Sequence, residues 1–270
     1  MTVPNQPVTV GVDGSEGSVR AAHWASAEAG RRGAALHLVF VNDDPARAAQ
    51  GERAVHEIAE QCRARTPGIA VTSETAAGHP VQELLRRSET AQLLVLGARG
   101  HGVFTDALLG GVSSSVAVHA RCPVAVVRNS IPDSGPVVVG SDDSQCGQDA
   151  VRFALATASR AGADLVVLRA WHEEGLLALP LTPPDRERVQ HEVERSLTTQ
   201  TKPLREEHPE VRIQEVVHRG HPVAGLVDAA REARLVVVGH RGGGGFDGLF
   251  LGSVASGILH HAPCPVVVVH

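Results

Sequence analysis

Leu235-Val236-Val237-Val238-Gly239-His240-Arg241-Gly242, followed after nine residues by Gly252-Ser253, sets an apolar run, a glycine loop and the opening of a short helical segment in direct succession. A near copy, Leu93-Leu94-Val95-Leu96-Gly97-Ala98-Arg99-Gly100, nine residues and then Gly110-Gly111, stands in the first half of the chain. A buried strand that feeds a glycine loop opening a helix points backbone N–H groups at one spot, and such a spot suits phosphate.

The repetition extends beyond the loops. Val10-Gly11-Val12-Asp13-Gly14-Ser15 corresponds to Val139-Gly140-Ser141-Asp142-Asp143-Ser144, and the offset is constant through the second strand. Gly78-His79-Pro80-Val81 then matches Gly220-His221-Pro222-Val223, and Arg121-Cys122-Pro123-Val124 matches Pro263-Cys264-Pro265-Val266, at a larger constant offset. The second half therefore carries an insertion around Gly175 to Glu187, where Leu179-Pro180-Leu181-Thr182-Pro183-Pro184 reads as an ordered loop before a helix. So long a period excludes a solenoid and gives two duplicated domains. We place them at residues 1–129 and 137–270, with a linker over 130–136 that carries Pro132, Asp133, Ser134, Gly135 and Pro136. A linker this short keeps the domains close together.

Alternating strand and helix patterns run through each half. Pro7 to Val12 reads as a strand, Gly17 to Arg32 as a helix, Ala35 to Val41 as a strand, Ala46 to Arg65 as a helix and Ile69 to Thr75 as a strand. A helix from Pro80 to Thr90, the strand before Gly97, a helix from Val112 to Ala120 and a last strand, Val124 to Val127, complete the series. Strands this apolar belong to a parallel sheet covered on both faces. The fold class is therefore α/β, two tandem doubly wound five-stranded parallel-sheet domains of the Rossmann-like sandwich type, with ligands at the carboxyl ends of the strands. There Asp13 and Asp142, which follow the first strand of each half, share a crevice with the glycine loops if the strands are neighbours.

Composition excludes several classes. A net charge of −5 and 3% aromatic residues argue against a nucleic-acid surface, which shows basic patches with stacking rings. No apolar run is long enough for a membrane span, and Met1-Thr2-Val3-Pro4-Asn5 lacks the basic and apolar regions of a signal peptide, so a cytoplasmic location is expected. The four cysteines are scattered and read as buried reduced thiols. Fifteen histidines are dispersed without cysteine or carboxylate partners at ligand spacing, so no dedicated metal site is expected. Gly243-Gly244-Gly245-Phe246-Asp247-Gly248 satisfies GxGxxG by coincidence, since no room remains for the acidic residue expected about 20 positions later.

The Gly-x-x-Gly, nine residues, Gly-Ser/Thr pattern resembles the ATP-binding loop of the universal stress protein family. Val-Gly-Val-Asp-Gly-Ser near the N-terminus and the closing Cys-Pro-Val strand also look like that family, and the resemblance covers the whole chain as a tandem pair. It implies an adenine nucleotide alpha hydrolase-like fold that binds ATP, with Asp13 and Asp142 beside ribose or metal and Val41 and Ala170 beside the base. Phosphates would be held by Gly97, Gly100, Gly110 and Val112 in one site and by Gly239, Gly242, Gly252, Ser253 and Val254 in the other. Gly11 and Gly140 belong to the matching strand-end motifs.

The halves depart from the pattern differently. The second loop has Ser253, whereas the first has Gly111 where a hydroxyl is expected, with Ser113 as a substitute one turn along. Loss of one hydrogen bond, about 0.5–1.5 kcal/mol net, weakens binding without abolishing it. Ala170 and Trp171 stand for Val41 and Asn42, so the base pockets differ in shape.

Lys202 is the only lysine, so no GxxxxGK[ST] lysine meets the phosphates. Their charge falls to N–H groups, the helix N-terminus, Arg99 or Arg241, and a divalent ion, which makes Mg-ATP the expected ligand, the metal held through phosphates near Asp13 and Asp142. Plainer readings stand beside these: the loops as turns, Asp13 and Asp142 as turn caps, Arg99 and Arg241 as solvated loop residues. No nucleophile elbow, Cys–His pair or general base is nominated. The functional expectation is a nucleotide-dependent regulatory protein of stress response. A slow ATPase or another ATP-using enzyme, and a binder of AMP or cyclic AMP, are the alternatives. The final strands Val124 to Val127 and Val266 to Val269 are expected to pair with each other, and whole chains to form a homodimer through other faces.

Overall fold

The computed structural model describes residues 6–44, 48–100, 109–128, 130–172, 182–243 and 251–270. In the first half β1 (Val8–Val12), α1 (Glu16–Arg32), β2 (Leu36–Asn42), α2 (Ala48–Arg65), β3 (Val71–Ala77), α3 (Pro80–Ser88), β4 (Leu93–Gly97), α4 (Gly111–His119) and β5 (Val124–Val127) follow in order. The second half repeats it as β6 (Val137–Gly140), α5 (Gln145–Ala161), β7 (Leu165–Trp171), α6 (Pro183–Glu207), β8 (Ile213–Arg219), α7 (Pro222–Ala230), β9 (Leu235–Gly239), α8 (Ser253–His261) and β10 (Val266–Val269).

Duplication is visible in the caps. α1 starts where the Ser15 hydroxyl accepts the Ser18 amide and stops at Gly33, whose φ of 62° is left-handed. α5 starts where the Ser144 hydroxyl accepts the Gly147 amide and stops at Gly162, φ 58°. A serine N-cap and a left-handed glycine satisfy backbone groups that a helix end leaves unpaired. Strand and helix bounds lie within two residues of those expected in the first half. The third strand lies at Val71–Ala77, two residues beyond the expected Ile69 to Thr75, because its ladder with β2 runs from Leu36↔Val71 to Asn42↔Ala77. α3 stops short of Thr90, since the Glu89 and Thr90 amides turn back tightly on the Arg86 and Arg87 carbonyls. α6 runs for 25 residues through Pro203, a longer helix than the insertion suggests. The loop expected before it falls mostly within 173–181, outside the described residues.

The ten strands among the described residues form one sheet in the order β3-β2-β1-β4-β5-β10-β9-β6-β7-β8. Each half is parallel, and the expected pairing of the final strands is present as an antiparallel ladder, the only one among the described residues, with Val266↔Val126, Val267↔Ala125 and Val268↔Val124. Carboxyl ends of the strands in the two halves consequently point in opposite directions. One core lies between the sheet and α1, α2 and α5, with Leu197 of α6, and takes Val8, Val10, Leu165 and Val267. The other lies between the sheet and α3, α4, α7 and α8, and takes Leu94, Val124, Val236 and Val268. Both cores run through the joint, and alternate residues of β5 and β10 feed each, as the two-residue period of a strand requires. No described helix is long and apolar enough to cross a membrane. All four cysteines are reduced, with Cys62, Cys122 and Cys264 buried, and burial pushes the Cys122 thiol up to about 12.

Candidate functional site

β1 and β4 are neighbours in the sheet, and β1 also pairs with β2, so the strand order changes direction at β1. Ligand crevices of open α/β sheets form at such a point, outside the carboxyl ends. A cavity of about 490 Å³ opens there, within the range of small-molecule sites. It brings together Gly11, Asp13, Val41, Gly97, Arg99, Gly100, Gly110, Gly111, Val112 and Ser113, every residue expected in the first site.

The lining combines two chemistries, aliphatic from Val39, Val41, Leu84 and Leu96, and polar from Asp13, Arg99 and the start of α4. α4 begins on Gly110, which provides no side-chain cap, so among the described residues the first N–H groups of the helix form a setting suited to an anion. The loop is closed by its own backbone: the Gly110 amide donates to Ala98 at 2.9 Å, bringing the two parts of the glycine pattern into contact.

Why glycine recurs is a matter of packing. A Cβ on Gly97 would stand 2.9 Å from the backbone of Gly17, and one on Gly100 would run into the Asp13 carboxylate. Asp13 also accepts the Ser15 amide at 2.9 Å, an Asx turn, so the plain reading of this residue as a turn cap is correct as far as it goes. The same carboxylate nevertheless lines the cavity.

Ser113 requires a correction. It is buried, and its hydroxyl donates to the Gly97 carbonyl at 2.7 Å. The proton expected to substitute for the missing hydroxyl at Gly111 braces the loop instead, leaving only lone pairs toward a ligand. Val39, Leu84 and Leu96 were missed by sequence reasoning. Val39 had a signal, since it lies two residues before Val41 on the same side of β2. Leu84 is placed by the packing of α3 on the sheet, which no local motif records.

The second set has matching contacts. Asp142 accepts the Ser144 amide at 3.1 Å and the Gly243 amide at 3.0 Å. A Cβ on Gly242 would lie 2.6 Å from the Asp142 carboxylate, and one on Gly239 would lie 2.8 Å from the Cys146 carbonyl. The Gly252 amide donates to His240 at 2.8 Å, and α8 begins on Gly252 uncapped, with Ser253 exposed as its first residue. Val254 and Ala170 pack against the same core, and Gly140 lies under Leu226. Arg241 follows His240 in the loop, while the glycine run beyond Gly243 lies outside the described residues. Beside Ala170, His218 of β8 takes the place that Ala76 holds beside Val41, and its ring packs on Gly225. The surroundings of Val41 and Ala170 therefore differ. Among the described residues no group of three or more His, Cys, Asp or Glu is placed to hold a metal.

The universal stress protein family model matches residues 4–128 and again 134–270. The chain belongs to the universal stress protein family. A universal stress protein of Mycobacterium tuberculosis is 36% identical over 284 residues, covering 97% of this chain and 96% of the relative. One of Mycolicibacterium smegmatis is 35% identical over 285 residues, covering 97% and 96%. The crystal structure of a universal stress protein from Archaeoglobus fulgidus superposes with a TM-score of 0.71 at 22% identity, covering 99% of both chains, which places the same fold over the whole length. Membership of the universal stress protein family accounts for the duplicated loop-and-helix pattern; the ligand is a matter for the site itself.

Proposed function

We propose that this tandem universal stress protein is a nucleotide-dependent regulatory protein that binds Mg-ATP. The observation carrying the reading is the first cavity, with an aliphatic lining of Val39, Val41, Leu84 and Leu96 for a base and an uncapped helix N-terminus with Arg99 for phosphates. A nucleotide combines the same two chemistries in an apolar, planar end and an anionic end. The donor set fits magnesium held through phosphates: Asp13 supplies one carboxylate, which suits an ion that keeps water and phosphate as its remaining ligands. Bound there, the ion would offset phosphate charge that the chain meets otherwise with amides and one guanidinium.

Asp13 is the one carboxylate among the described lining residues, and it already accepts the Ser15 amide. That engagement favours binding over hydrolysis, with occupancy read out by the contacts of the loop helices. The test is extraction of nucleotide from purified protein, followed by Mg-ATP titration with assay of phosphate release. Stoichiometric ATP without turnover is expected. Steady phosphate release would replace the regulator by a slow ATPase, and preferential retention of AMP or cyclic AMP would replace the ligand.

A further inference from the structure

Each loop helix ends on a group supplied by the other half of the chain. α4 starts at the first loop, and the carbonyl of Ala117 in its last turn accepts from His270 Nε2 at 3.1 Å. His270 follows β10, and its ring stacks on His240, the second residue of the second loop, with centroids 5.0 Å apart. α8 starts at the second loop, and the carbonyl of Leu259 in its last turn accepts from Arg128, which follows β5. Arg128 directly follows Val127, whose carbonyl accepts the amide of Ala98 in the first loop at 2.8 Å, so it is tied to that loop through the backbone, and burial and then the charge of Arg99 hold it below its ordinary pKa. The contacts are equivalent by the pseudo-symmetry of the repeat, and they form a closed circuit: first loop, α4, His270, His240, second loop, α8, Arg128, Val127, Ala98 of the first loop.

The helices are short enough to transmit a displacement. Each has nine residues, about 13 Å at roughly 1.5 Å per residue. Each would carry an anion at its N-terminus and a donor from the other half at its C-terminus, and both act favourably on the same dipole. Phosphate at the first loop offsets the Arg99 charge, relieves its repulsion of Arg128 and strengthens the hold on the end of α8. Phosphate at the second loop fixes the backbone around His240, and the ring stack passes that constraint to His270 and so to the end of α4. Groups facing the stacked pair are Arg241 in its loop and His119 at the end of α4.

We infer that the two sites are positively coupled across the β5–β10 joint through the Ala117–His270–His240 contacts and the Leu259–Arg128 contact with its Val127–Ala98 backbone bond, so that filling either site tightens the other. This rests on the nucleotide reading of both loops. Coupling of this kind must be reciprocal.

The experiment is calorimetric titration of the full chain with Mg-ATP, together with amide exchange. Wild type is compared with G100V and G242V, each disabling one loop, and with R128Q and H270Q, which lie outside the proposed binding residues. Expected are a first-site affinity at least fivefold weaker in G242V than in wild type with its second site filled, and slowed exchange over residues 257–261 when Mg-ATP fills only the first site of G242V. R128Q or H270Q should keep both sites while reducing the difference below twofold; having one variant at each contact guards against misfolding of either. Site affinities equal within twofold whether or not the other site is disabled, with no slowing in α8, would overturn the coupling. Binding at one loop only would also overturn it while leaving the nucleotide reading intact, and no binding at either would remove both.

Discussion

Gly242 faces a carboxylate. The 2.6 Å separation between its absent Cβ and Asp142 Oδ2 leaves no room for a side chain, and nearly the same contact holds between Gly100 and Asp13. G242V should therefore displace Asp142 or the loop and weaken nucleotide binding at the second site by tenfold or more, leaving the first site's intrinsic affinity in place; a titration resolving two sites checks this. Retained affinity at both would sink the loop assignment. S113A removes the hydroxyl that donates to the Gly97 carbonyl, and a loss of about 1 kcal/mol is expected from that bond. Chemical denaturation measures the loss, and an unchanged midpoint would remove the bracing role. The sequence makes the loop glycines legible as a pattern but hides their reason, because the carboxylate they face lies far away in the chain. Ser113 was misread for a similar cause: composition shows a hydroxyl, while only packing shows where its proton goes.

At the scale of elements, the residues after β5 and β10 occupy equivalent posts with unequal chemistry. His270 is pulled down to about 4, mainly by burial and then by His240, against the raising effect of the Ala117 carbonyl. His240 is lowered as well, by burial and by Arg241. Since the folded histidine binds its proton less readily than the unfolded one, stability is fully present above pH 6.5 and is lost as pH falls from 6.5 toward 4. For His270 this corresponds to about 3 kcal/mol as an upper estimate. H270Q, which cannot titrate, should flatten the pH dependence of melting between pH 6.5 and 4; an identical profile in wild type and variant would show that the fall belongs to other groups. None of this was readable from the sequence, where His240 and His270 are thirty positions apart and carry no motif. Strand and helix order, by contrast, was legible, because a run such as Leu93-Leu94-Val95-Leu96 has one environment open to it, a strand covered on both faces.

For the whole molecule, both cores pass through the β5–β10 joint, so the halves should unfold together. Calorimetry is expected to give a single transition with equal van't Hoff and calorimetric enthalpies. Two resolved transitions would mean that the halves are thermodynamically independent. V267P tests the joint directly: Val267 is fully buried and pairs with Ala125 on one side and Val237 on the other. Proline there removes a ladder donor in the middle of a sheet, and loss of the single transition or of the compact chain is expected from melting and size-exclusion experiments. An unaltered profile would show that the pairing contributes little. That final strands meet was legible from two apolar runs that would otherwise stand at sheet edges with unpaired backbone groups. The antiparallel direction was not, because it depends on how two separately wound halves face each other.

Joining two equivalent domains within one chain also changes what mutation can do to their contact. In a dimer of identical subunits every substitution at a two-fold joint occurs twice, and each new side chain must tolerate a copy of itself. Within this chain a substitution occurs once. Arg128 and His270 hold corresponding carbonyls, Leu259 and Ala117, with one permanent cation and one titratable ring. A joint of that unequal kind is open only to a duplicated gene, and dilution does not dissolve it, because each half carries its partner on the same backbone.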